Sequence, residues 1–160
     1  MPGGFFMFRF MRHRTTALSF FFAALALVAL PSNASAQGPG IRAGASVDPD
    51  QFYVGGHYET RPLVEQLHFR PNLEVGFGDD ITALGVNLEF VYKVPIDGPL
   101  TLYAGAGPAL NIYSFNDDSE TDGGLNVLFG AETANGLLFE IKLGAIDSPD
   151  LKFGVGYTWR

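Results

Sequence analysis

The sequence predicts an all-β chain: eight antiparallel strands in up-and-down order, closed into a transmembrane barrel whose apolar side faces a bilayer. Three observations predict it. Large apolar residues alternate with small or polar ones in run after run. The non-apolar parity is rich in glycine and charge, which suits a crowded interior better than a watery surface. The connections are short, so consecutive strands are antiparallel neighbours.

The chain opens with a segment that does not share this pattern. Arg9, Arg12 and Arg14 form a basic region. Residues 17–30 are apolar apart from Ser19, Pro31 ends the run, and Ala34-Ser35-Ala36 is an A-x-A cleavage signal. The run is shorter than the ~20 residues a membrane-spanning helix needs. The reading is a cleavable signal peptide over residues 1–36, with a barrel over residues 37–160 beginning at Gln37. With no cysteine, the chain has no disulfide framework, no thiolate metal site and no lipid-anchor cysteine. Residues 37–160 carry seven basic and seventeen acidic residues, a formal charge of −10. That excess argues against a nucleic-acid partner, whose phosphates need a basic surface.

The strands then follow in order. Ile41, Ala43, Ala45 and Val47 make the first apolar face, and Asp48-Pro49-Asp50 turns the chain. Phe52, Val54, Gly56 and Tyr58 make the second; a hairpin centred on residues 49–50 sets Arg42 across from His57. The third runs over residues 67–77 to a turn at Gly78-Asp79-Asp80, and the fourth over 84–94 to a Pro/Gly-rich turn at 95–99. The fifth spans 100–112, before a polar connection over 115–124, and the sixth spans 125–131. Asn135-Gly136 is a hairpin signal of the type I′ kind. The seventh spans 137–145, with Ala145 on its apolar parity, and Asp147-Ser148-Pro149-Asp150 leads to the eighth over 151–159. There Leu151, Phe153, Val155, Tyr157 and Trp159 alternate with Lys152, Gly154, Gly156 and Thr158. Pro71 and Pro108 remove ladder donors inside runs, so bulges or register breaks are expected there.

Parity sorts the charges. Facing inward are Arg42, Arg70, Lys93, Lys142 and Lys152, against Glu59, Glu74, Glu89, Glu132 and Glu140. Five of each sign balance, as a closed interior requires, because an unpaired buried charge costs several kcal/mol. Tyr53, Tyr103 and Tyr113 add bulk to the same interior. The outward aromatics Tyr58, Tyr92, Tyr157 and Trp159 gather at the rim that holds both termini, the place of an interfacial girdle. The opposite rim is acidic: connections 48–51, 78–80, 115–124 and 147–150 hold ten carboxylates and no Lys or Arg. Within the longest, Asp117, Asp118, Glu120 and Asp122 are candidates for weak, roughly millimolar Ca²⁺ or Mg²⁺ binding. No other cofactor is expected.

The eight alternating runs, the glycine-rich inward faces (Tyr103-Ala104-Gly105-Ala106-Gly107-Pro108; Phe153-Gly154-Val155-Gly156-Tyr157) and the aromatic-rich end resemble the small eight-stranded outer-membrane barrels of the OmpA, OmpX and opacity-protein type. That resemblance covers residues 37–160. It implies export, a place in the bacterial outer membrane among its lipids, and insertion by the assembly machinery that reads a C-terminal aromatic; here Arg160 follows Trp159.

No catalytic residue is expected. Some barrels of this kind are lipid A deacylases with lipid-facing catalytic groups, whereas His57 and His68 point inward by parity and fit interior hydrogen bonding. The expectation is a non-enzymatic, monomeric barrel with a filled interior, serving envelope integrity or surface interaction. The alternatives are a narrow channel for a small or hydrophobic solute, a lipid A-modifying enzyme, and a periplasmic lipocalin-like carrier with the apolar faces turned inward.

Overall fold

The computed structural model describes residues 38–115 and 118–160. The proposed signal peptide and Asp117 lie outside the described residues. The strands are β1 (Gly38–Val47), β2 (Gln51–Glu59), β3 (Pro62–Val64), β4 (Leu67–Gly78), β5 (Ile81–Pro95), β6 (Leu100–Ser114), β7 (Ser119–Thr133), β8 (Leu137–Ile146) and β9 (Leu151–Thr158). Each long strand pairs antiparallel with the next, β9 pairs with β1, and β2 pairs with β4. The sheet therefore closes with eight staves. β3 is a short continuation of the second stave, paired only with β4.

Following the pairings once round from Ala43 returns to β1 roughly ten residues further along, a shear that goes with a strand tilt of about 40°. An eight-stranded barrel of this kind has an interior just wide enough for its own side chains.

Alternation decides what fills that interior. Along β9, Lys152, Gly156 and Thr158 are buried while Phe153, Val155 and Tyr157 are exposed. The same holds around the wall, where Phe52, Phe77, Phe90, Leu102, Phe129, Phe139 and Ile141 all stand outward. An exterior this apolar suits hydrocarbon and not water. The inverted arrangement of a lipocalin-like carrier is thus not what the strands build.

Inward glycines make room for the large interior side chains. A Cβ at Gly130 would strike the Tyr103 ring, and one at Gly44 the Tyr53 ring. Val91, Leu128 and Tyr103 form the apolar part of the interior.

Several local expectations are corrected, while the break expected at Pro71 is present and that at Pro108 is present without a shift of register. The connection expected over 115–124 is mostly strand: β7 starts at Ser119, and Tyr113 pairs with Glu120. In the first hairpin Arg42 pairs with Gly55 and His57 with Gly40, because Gln51 already belongs to β2 opposite Ser46. At Pro71 the β2–β4 ladder stops after His57↔Asn72, and the chain resumes along β4 as β3 with a shifted register. At Pro108 the β5–β6 ladder is interrupted between Asn87↔Ala109 and Phe90↔Ala106 without a shift. A further irregularity is at Ala145 of β8, left unpaired where Leu125 pairs with Ile146 and Asn126 with Gly144. The Asn135-Gly136 turn has positive φ only at Gly136, with Gly136 N–H donating to Thr133 O at 3.0 Å, so it is not a type I′ turn.

Candidate functional site: a charged lumen

Every inward-pointing charge identified by parity is buried. The tilt of the strands, more than their order, decides which charges meet. Arg42 on β1 and Glu140 on β8 are far apart in sequence, yet Arg42 Nη1 donates to Glu140 Oε1 at 3.1 Å.

The network is best followed upward from the rim that holds the C-terminus. Lys93 Nζ donates to Glu59 Oε1 at 2.5 Å and to Glu132 Oε2 at 2.7 Å. Arg160 turns into this end of the lumen and pairs with Glu132, with Glu59 at 3.6 Å. Arg160 lies one step beyond the alternating run read from the sequence, yet it shares the inward parity of Lys152 and Thr158, and that parity was the available signal. The ladder holds this end in place: Trp159 N–H donates to Pro39 O at 3.0 Å.

Arg70 links this layer to the next. Its Nη2 donates to Glu59 Oε2 at 3.1 Å and its Nη1 to Glu140 Oε2 at 3.2 Å. The guanidinium lies over the Tyr103 ring at 4.6 Å, and the Tyr103 hydroxyl donates to Glu140 Oε2 at 3.0 Å. Stacking and forked pairing are what a guanidinium supplies and an ammonium does not.

The central layer converges on Glu74. It accepts from Lys142 Nζ at 2.9 Å, Lys152 Nζ at 2.8 Å and Arg42 Nη1 at 3.3 Å. Lys142 Nζ also lies 2.6 Å from Glu89 Oε1, and Lys152 Nζ sits 5.0 Å over the Tyr53 ring. Arg42 Nε donates to His57 Nδ1 at 3.5 Å, which leaves His57 Nε2–H to donate to Thr158 Oγ1 at 2.8 Å. His68 bonds Thr60 O at 3.0 Å. Both histidines are therefore interior hydrogen-bonding groups. Beside the charges runs an amide ladder: Asn126 Nδ2 donates to Asn87 Oδ1 and Asn87 Nδ2 to Asn72 Oδ1, each at 2.7 Å.

Chemically this is a neutralised plug. Each carboxylate has a cation within 4 Å, so its desolvation is offset by pairing. Tyr113 is half-exposed at the opposite mouth and does not help fill the centre.

The remaining predicted groups lie outside the lumen. Tyr92, Tyr157 and Trp159 are exposed and Tyr58 half-buried, all on the outer wall towards the terminal rim, with Tyr157 edge-on to Trp159 at 5.6 Å. Asp118 and Glu120 are exposed, while Asp122 pairs across the ladder with Asn111. Among the described residues, no three His, Asp or Glu side chains are placed to hold a metal ion.

No family model matches the sequence, and no curated protein matches it. Solved structures do. Neisserial surface protein A aligns over 77% of this chain and 95% of its own, at 19% identity and a TM-score of 0.55. The N-terminal β-barrel domain of Pseudomonas aeruginosa OprF aligns over 77% and 96%, at 15% identity and a TM-score of 0.56. The outer membrane enzyme PagL aligns over 78% and 99%, at 14% identity and a TM-score of 0.49. The fold of this chain is that of the small eight-stranded outer-membrane barrels.

Proposed function

We propose that the chain is a monomeric, non-enzymatic barrel of the bacterial outer membrane, exported with loss of residues 1–36, that serves the envelope through its wall and outer loops. The observation that carries this reading is the continuous ion-pair network from Arg160 to Lys152, which occupies the lumen where a pore would run. The lipid-facing wall supports membrane residence, and neither histidine is on it. Outer-membrane lipid and the barrel-assembly machinery are the partners this reading requires.

Planar-bilayer recording of the refolded protein tests it. The expected result is no stable conductance step of porin size. Sustained, reproducible steps would favour the channel alternative and overturn the sealed-lumen reading. Intact mass of protein isolated from outer membranes tests the processing, with a chain beginning at Gln37 expected.

A further inference from the structure

The lumen changes character at Lys152 and Glu74. On the terminal-rim side it is packed with ion pairs. On the other side its wall is neutral and small, with Gly76, Ala83 and Gly85 beside Ser46, Gln51 and Asn111. A Cβ at Gly85 would make only ordinary van der Waals contacts, so the wall itself leaves space.

What fills that space is a connection. The link between β8 and β9, residues 147–150, turns into the mouth. Asn111 Nδ2 donates to Asp147 O at 3.2 Å and to Ser148 Oγ at 3.4 Å. Gly124 and Gly144 lack the Cβ atoms that would collide with Ser148. Pro149 is buried and helps line the remaining cavity of about 10 Å³, room for about one water. Gln51 also lines it; the residue is 7% exposed, and its Nε2 has no hydrogen-bond partner.

The link is lightly held. Its backbone bonds, Asp150 N–H to Asp48 O at 3.4 Å and Gly144 N–H to Asp150 O at 3.2 Å, are as long as those from Asn111. All four are at or beyond the long end of the usual range. The register shift at Ala145 and the positive φ of Asp147 (37°) mark where the strand ends and the link turns in.

The geometry points to a lid: residues 147–150 shut an outward-facing vestibule whose floor is the Lys152–Glu74 pair, and swing out to admit a small organic cation. The sign of the guest follows from the mouth. Glu120 faces Tyr113 and Asp122 faces Asn111 across the β6–β7 ladder, Asp48 opens the β1–β2 turn, and the described outward connections carry no Lys or Arg. Behind them Gln51 Oε1 lies beside Gly76 and Asn111 Oδ1 beside Gly85, while the unpartnered Gln51 Nε2–H asks the guest for an acceptor group as well as a positive charge. The floor stays closed when the lid opens, so a vestibule is compatible with the absence of a through-pore.

The chain has no cysteine, so one introduced thiol reports without background. Ser46→Cys is nearly isosteric, and Ser46 is 5% exposed. The experiment measures how fast this thiol, in the refolded barrel, reacts with a cationic trimethylammonium-ethyl methanethiosulfonate and with its anionic sulfonatoethyl counterpart. Both rates are normalised to a neutral methyl reagent.

Ser46→Cys alone is expected to react slowly. Adding Asn111→Ala, which cuts the lid's tether, is expected to raise the cationic rate about ten-fold. The cationic reagent is expected to exceed the anionic one several-fold at low salt, with the ratio falling as salt screens the rim. Fast labelling of Ser46→Cys alone, or no acceleration by Asn111→Ala in a variant with an unchanged circular-dichroism melt, would overturn the lid. Equal normalised rates for the two reagents would overturn the preference for cations.

Discussion

Replacing Glu74 by Gln tests whether the lumen is dry and charge-compensated. Glu74 is 1% exposed and gathers three cations: Lys142, Lys152 and Arg42. Their situations differ once its charge is gone. Lys142 keeps Glu89 at 2.6 Å, and Arg42 keeps Glu140 at 3.1 Å. Lys152 has no second carboxylate within 4 Å among the described residues. The glutamine amide would also aim N–H donors at ammonium groups that need acceptors. Removing one partner from a buried pair costs about 3–5 kcal/mol. The upper part of that range applies if Lys152 stays dry, and the lower part if it reaches water through the mouth. Urea unfolding of the barrel from lipid vesicles, followed by fluorescence of Trp159, the chain's only tryptophan, reads the change. Adding Lys152→Met removes the orphaned ammonium and is expected to recover about 1–2 kcal/mol, a coupling that independent sites would not show. A loss below about 1 kcal/mol for Glu74→Gln at unchanged m-value would refute the reasoning, because it would mean the lumen is hydrated enough to solvate free ammonium groups.

Three further outcomes are expected. Tyr103→Phe removes the hydroxyl that donates to Glu140 Oε2 at 3.0 Å, with Phe139 O at 3.3 Å, and is expected to cost about 1–2 kcal/mol in the same unfolding assay. Gly107→Ala places a Cβ against the Leu88 carbonyl and 2.9 Å from Glu89 Cα, so refolding yield is expected to collapse, whereas Gly123→Ala meets nothing within 4 Å and is expected to refold normally. Trp159, 48% exposed at the terminal rim, is expected to be quenched more strongly by lipids brominated near the headgroup than by lipids brominated at the chain ends; the reverse order would remove it from the interfacial girdle.

Eight staves and their inward faces were legible in the sequence because the pattern has period two and one face must be apolar. Leu137, Phe139, Ile141 and Leu143 cannot turn inward without moving Glu140 and Lys142 into lipid. Which charges meet was not legible. Parity assigns Arg42 and Glu140 to one interior, but only tilt and shear bring them together. The extension of β6 and β7 was missed because Ser119, Glu120, Thr121, Asp122 and Gly123 read as loop by composition. Beyond the bilayer, water accepts both faces of a hairpin, so the alternation that marks a strand disappears while the ladder from Ser114↔Ser119 onward continues. β3 escaped for a simpler reason: Pro62-Leu63-Val64 is too short to show a period and is apolar throughout.

The two charge patterns of this chain have one cause. Residues 37–160 contain seven cations, and six of them (Arg42, Arg70, Lys93, Lys142, Lys152 and Arg160) engage carboxylates in the lumen. Among the described residues only Arg61 engages no lumenal carboxylate, at the rim near the chain ends. The five lumenal glutamates, buried in a space too narrow for bulk water, require those cations where they are. The outer connections keep their acids without compensation, which solvation and salt tolerate there and the lumen does not. An acidic rim is thus the complement of a lumen whose six cations offset, and by one exceed, its five glutamates. Moving one cation out of the lumen would weaken both features at once, by exposing a buried carboxylate to an empty partner position and by softening the field at the mouth.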